Sequence, residues 1–87
     1  MIDLLRQRLA VLTPSHLEII DDSTKHAGHA GNTGGGHYTV MIASSLFAGK
    51  STIIRHRMVY QAVGDLVPSR IHALSIKAGV PGESSIS

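Results

Sequence analysis

Phe47-Ala-Gly-Lys-Ser-Thr-Ile-Ile-Arg-His-Arg-Met-Val-Tyr60 decides how this 87-residue chain folds. It joins a turn to a helix, and it carries Lys50 and the three consecutive basic side chains Arg55, His56 and Arg57. Gly49 suits the turn because glycine tolerates backbone angles that other residues avoid. Ser51 is placed to cap the helix that follows. At roughly 100° per residue, Ile54, Met58, Val59, Ala62, Val63 and Leu66 form one broad apolar stripe. The spacing predicts a helix from Thr52 to about Leu66, stopped by Pro68. Arg55 falls inside the stripe, so a structural role is expected, with its guanidinium bonding carbonyls or carboxylates. His56, Arg57, Tyr60 and Gln61 lie outside the stripe.

Upstream, Ile2, Leu5, Leu9 and Leu12 recur at three- and four-residue spacing and predict a helix over Ile2 to Leu12. Asp3 near its start and Arg6 and Arg8 further along suit the helix dipole. Pro14 ends it, because Thr13 is pushed out of helical geometry. His16 to Asp22 predicts a strand, with Leu17 and Ile19 on one face and Glu18 and Ile20 on the other. Lys25 to Gly36 is a long loop in which five of twelve residues are glycine. Ordering such a loop is entropically costly, and loops of this length in compact domains are more often functional than idle. His37 to Ala43 predicts a second strand, with Tyr38, Val40 and Ile42 on one face. It should pair with the first as an antiparallel hairpin, the glycine loop at the tip.

Downstream, Ile71 to Ala78 predicts the third strand, with His72, Leu74 and Ile76 sharing a face. A helical crossover from strand two to strand three favours a parallel pair. The expected fold is α+β: one small domain over residues 1–81, in the order helix, strand, strand, short helical turn, helix, strand. Its three-stranded mixed sheet carries the helices on one face. Residues 82–87 read as a disordered tail.

Composition narrows the function. Aromatics are limited to one Phe and two Tyr, so Leu, Ile, Val and Ala must build the core. A net charge of +2 is too small to predict nucleic-acid binding by electrostatics alone. There is no cysteine, which excludes disulfides, thiolate metal sites and Cys nucleophiles. The N-terminus lacks the apolar segment of a signal peptide, and no apolar run approaches the roughly 20 residues of a membrane span. A soluble, cytoplasmic protein is expected.

Six histidines are a surplus in so short a chain. Histidine is the side chain best suited to ligate metals near neutral pH. On residue pattern alone, His72 reads as a half-buried strand residue, His26 and His29 as solvated loop residues, and His37 as a hydrogen-bonding residue at a strand start. Lys50, Arg55 and Arg57, with His56, form a candidate surface for nucleic acid or a protein partner. Phe47-Ala-Gly-Lys50 lacks the first glycine of a phosphate loop, and Gly34-Gly-Gly36 leads into a strand where a dinucleotide fingerprint needs a helix. No catalytic constellation emerges, and an enzyme is not expected.

Three motifs in one order resemble the BolA family. These are Phe47-x-Gly-Lys50, Arg55-His-Arg-Met-Val-Tyr60 and Ile71-His-Ala-Leu-Ser-Ile76. The His26-Ala-Gly-His29 loop and the following Gly-His37-Tyr38 also fit, so the resemblance runs from about Leu4 to Pro81. It implies a fold similar to class II KH domains. It further implies partnership with a monothiol glutaredoxin of the CGFS type, sharing a two-iron, two-sulfur cluster in cluster trafficking and iron homeostasis. The family's invariant histidine falls on His72. Its loop ligand falls on His26, the closer match by distance from strand one, or on His29.

Residue chemistry is consistent with such a site, since two imidazoles can replace two thiolates on one iron. A chain without cysteine could hardly hold a cluster alone. The partner and its glutathione would supply the remaining ligands, and the isolated chain is expected to be a monomer with no cofactor. The resemblance also implies an alternative, a DNA-binding transcriptional regulator of stress response and cell morphology. It would act through the turn and helix that carry Lys50, Arg55 and Arg57.

Overall fold

A computed structural model of the chain describes residues 1–22 and 36–82. The loop histidines His26 and His29, the hairpin tip and tail residues 83–87 lie outside the described residues.

Helix α1 spans Ile2–Leu9 and tightens into a 3-10 turn over Ala10–Leu12. The whole predicted segment is thus helical, but its last turn is overwound. Thr13 stops it in a left-handed conformation (φ 47, ψ 54), next to Pro14. Leu5, Leu9 and Leu12 turn inward.

Strands β1 (His16–Asp21), β2 (Gly36–Ala43) and β3 (Ile71–Gly79) form a sheet in the order β1-β2-β3. β1 and β2 are antiparallel, and β2 and β3 are parallel. The register aligns Ile19 with Val40 and Val40 with Ile76, so one row of side chains crosses the sheet on a single face. That face also carries Tyr38, Ile42 and Ala78, all buried. Leu5 and Leu9 of α1 join them in one core with Val59 and Val63.

Between β2 and β3 the chain makes a 3-10 turn, Ser45–Phe47, then helix α2, Thr52–Val63, and a single helical turn α3, Leu66–Ser69. Two serines set this connection. The fully buried Ser44 hydroxyl accepts from the Leu46 N–H at 3.1 Å and donates to the Leu12 carbonyl at 2.6 Å. It therefore ties the end of the first helical segment to the turn. Ser51 caps α2 as expected, accepting from the Ile54 N–H at 3.2 Å.

Pro68 does not end α2. The helix stops at Val63, because Gly64 takes φ +66 and ψ −135, a region open essentially to glycine alone. Arg8 of α1 closes the end: its Nη1 donates to the Val63 carbonyl at 3.0 Å and lies 3.4 Å from the Asp65 carboxylate. A β-carbon on Gly64 would approach that nitrogen to 3.1 Å. Pro68 instead lies within α3, and Val67 before it is extended (φ −111, ψ 126), as the residue preceding proline prefers. No helix among the described residues is long and apolar enough to cross a membrane.

Candidate functional site

The start of β3 departs from simple alternation. Gly36 pairs with Ile71, but the next pair is His37 with Ala73, so His72 is an extra residue in the ladder. Such a bulge re-aims a side chain and is common beside functional sites. Ile71 is fully buried, whereas His72 is exposed. Counting by twos puts His72 on the inner face with Leu74 and Ile76. The bulge breaks that count and sets His72 outside the core.

The residue beside it is His37, at the start of β2. The two imidazole rings have centroids 5.0 Å apart and are tilted by 44°. The His37 carbonyl accepts from the Asp22 N–H at 2.7 Å, which extends the β1–β2 pairing one step past Asp21 and Tyr38. The Thr39 hydroxyl donates to the Asp22 carboxylate. His37 is thus held at the strand start through its backbone carbonyl. Its ring pairing with His72 has no counterpart in the sequence pattern, because the bulge that creates it cannot be read from residue spacing. Among the described residues, no group of three or more His, Asp and Glu side chains is gathered to hold a metal ion.

The basic residues separate into two kinds. Arg55 is part of the scaffold: its Nε donates to the Lys50 carbonyl at 2.9 Å and its Nη1 to the Ala78 carbonyl at 3.4 Å. It locks the Gly49 turn, where φ is +73, against the far end of β3. The charge in the apolar stripe is therefore explained by two backbone carbonyls, as its position suggested. Lys50 and Arg57 are exposed, and His56 is half-buried. Tyr60 continues the seam, its hydroxyl donating to the Leu74 carbonyl at 3.2 Å. Arg55 meets β3 at Ala78, six residues and roughly 20 Å along the strand from His72. The Gly49 turn that Arg55 locks and the histidine pair thus lie at opposite ends of β3.

Residues 9–83 match the family model described as BolA-like protein. The chain belongs to the BolA family. It is 44% identical over 78 residues to SufE-like protein 1, chloroplastic/mitochondrial, of Arabidopsis thaliana, covering 83% of this chain but 21% of that one. The solved structure of BolA1 from Arabidopsis thaliana superposes with a TM-score of 0.79 at 38% identity, covering 94% of this chain and 93% of that one. The DNA-binding transcriptional regulator BolA of Escherichia coli (strain K12) is 33% identical over 67 residues, 77% of this chain and 62% of its own length. Against both curated relatives, the chain therefore spans less than two thirds of the partner's length.

In this BolA-family chain the histidine end of the sheet also carries Tyr38. Burial pushes its phenol up from the ordinary tyrosine value, and the Asp21 carboxylate opposite adds to the rise. A folded-state value above the unfolded one means stability that is present below about pH 10 and lost as pH rises through the folded value. Between pH 9 and pH 11, wild-type chain will therefore lose urea resistance relative to the Tyr38→Phe variant. Parallel slopes for the two proteins would show that Tyr38 ionises freely in the fold.

Donor chemistry at this end suits iron or another borderline metal. The described sheet end offers the imidazoles of His37 and His72, and imidazole serves zinc, copper, iron and nickel. His72 is held by a strand and exposed.

Proposed function

We propose that the chain is an adaptor that binds a monothiol (CGFS) glutaredoxin and co-ligates a two-iron, two-sulfur cluster with it. The role is iron–sulfur cluster trafficking and iron homeostasis. The observation that carries this reading is the bulge that holds His72 exposed at the sheet end from which the 23–35 segment departs and to which it returns. His72 would be one cluster ligand and His26 or His29 the second. His26 lies four residues past Asp22, a reach of at most about 14 Å along the chain. The cluster itself supplies electron-rich, transferable iron and sulfide. The chain's part is to offer neutral imidazole nitrogen, while cysteine and glutathione come with the partner.

Anaerobic co-purification with a monothiol glutaredoxin tests this. A complex carrying iron and sulfide is expected. Separate elution of the chain and a cluster-bound glutaredoxin homodimer would refute the reading.

DNA binding is the alternative function. The exposed Lys50 and Arg57 at the start of α2 favour it, as does the name of the Escherichia coli relative. Against it, Arg55 is engaged with backbone carbonyls, and the turn has Gly49 without a second glycine for a Gly-x-x-Gly clamp. Phosphate contacts from Lys50 and Arg57 alone would give a salt dependence with a logarithmic slope of roughly −2. A mobility shift insensitive to salt, or absent at low salt, would eliminate this function.

A further inference from the structure

We propose that His37 and His72 together form a two-imidazole site for a divalent transition-metal cation, which the chain binds without any partner. This shares His72 with the cluster reading but does not rest on it. That reading takes its second ligand from the loop, whereas here both donors sit on strands.

The ring separation carries the inference. Histidine nitrogens bind zinc at about 2.0–2.1 Å, which puts each ring centroid roughly 3.2 Å from the ion, and at a tetrahedral angle the two centroids then stand roughly 5 Å apart. The observed separation is 5.0 Å. Coordination sets no requirement on the angle between ring planes, so the 44° tilt is compatible with it. His37 is placed by the β2 ladder and the Asp22 N–H, and His72 by the bulge between its paired neighbours Ile71 and Ala73. Sites built on strands hold their donors more precisely than sites built on loops. Asp21 and Asp22 bring negative charge to the same end of the sheet, which favours a cation. Water fills the remaining positions around the ion.

The same separation would suit a plain aromatic contact with no ligand role, since paired rings commonly stand about 4.5–7 Å apart. Metal binding separates the two. The experiment is a titration of the full chain with zinc chloride at neutral pH, in competition with a chromophoric chelator and with no glutaredoxin present. Wild-type chain should compete for zinc. His37→Ala and His72→Ala should each weaken zinc at least about tenfold, the smaller end of what loss of even an outer-shell partner costs a metal site. The His26→Ala/His29→Ala double variant should stay close to wild type. On adding zinc, the ring proton resonances of His37 and His72 should shift together.

The proposal is overturned if wild-type chain does not compete, if His37→Ala binds as wild type does, or if the double loop variant loses the zinc. Far-ultraviolet circular dichroism of each variant confirms that it is folded. Because no glutaredoxin is added, failure of cluster sharing would leave this result standing. Conversely, a His37→Ala chain that keeps the shared cluster but loses zinc would show that the two sites differ in their second ligand.

Discussion

Replacing Phe47 by Ala will cost about 3–5 kcal/mol of folding stability, the range for a large aromatic removed from a core. Phe47 is the chain's one phenylalanine and the largest of its fully buried side chains. It sits in the 3-10 turn between β2 and α2, where the chain leaves the sheet to begin its crossover. Few other side chains in this Leu-, Ile- and Val-built core could fill the space it vacates. An aromatic ring buries about 150–250 Å², and no residue near it in sequence has comparable bulk. A domain of this size has only about 5–15 kcal/mol in total, so the variant gives up a large fraction of its stability and unfolds at a much lower urea concentration. Urea denaturation followed by far-ultraviolet circular dichroism measures the loss. Phe47→Leu should recover most of it. A loss below about 1 kcal/mol, as for an ordinary surface site, would mean that the turn does not anchor the core.

Replacing His72 by Ala will have the opposite profile. The side chain is exposed and sits in a bulge, so stability should change by no more than about 0.5 kcal/mol, as at most surface positions. The iron and sulfide that co-purify with the chain in complex with a monothiol glutaredoxin should fall to background. His26→Ala and His29→Ala, tested singly, should weaken or alter the complex without abolishing it, because each variant keeps the other histidine three residues away. If His72→Ala retains full iron and sulfide, His72 is not a cluster ligand, whatever the loop contributes.

Much of the scaffold was legible from residue types. The strand order followed from a hairpin and a helical crossover, and the register bears out the alternation in β1 and β2. Ser51 announced itself as a cap, and Arg55, by falling inside an apolar stripe, announced a carbonyl-binding role. Residue types alone place the end of α2 too late, because Pro68 is the stronger helix breaker by type, while Gly64 acts earlier in the chain. Gly64 followed by Asp65 was the available signal, glycine being the usual residue just past a helix end. The partnership of Arg8 with that end joins residues 55 apart and leaves no trace in local pattern.

The histidine end was legible only in part. The motif around His72 singled it out, but its exposure depends on a one-residue slip between neighbouring strands. A slip of that kind reverses which face a side chain takes, and it is set by pairing, not by composition. For the same reason His37 read as an ordinary strand start. Its nearness to His72 comes from parallel pairing between segments separated by the whole crossover. Among the basic residues, the apolar stripe sets Arg55 apart in the sequence, and hydrogen bonding to the Lys50 and Ala78 carbonyls places it in the scaffold, while Lys50 and Arg57 are exposed.

Visible circular dichroism of wild-type chain mixed anaerobically with cluster-loaded monothiol glutaredoxin tests the adaptor reading most directly. A new spectrum, distinct from that of the glutaredoxin homodimer and saturating with added chain, is the predicted result. A spectrum that remains that of the homodimer at every ratio would contradict it.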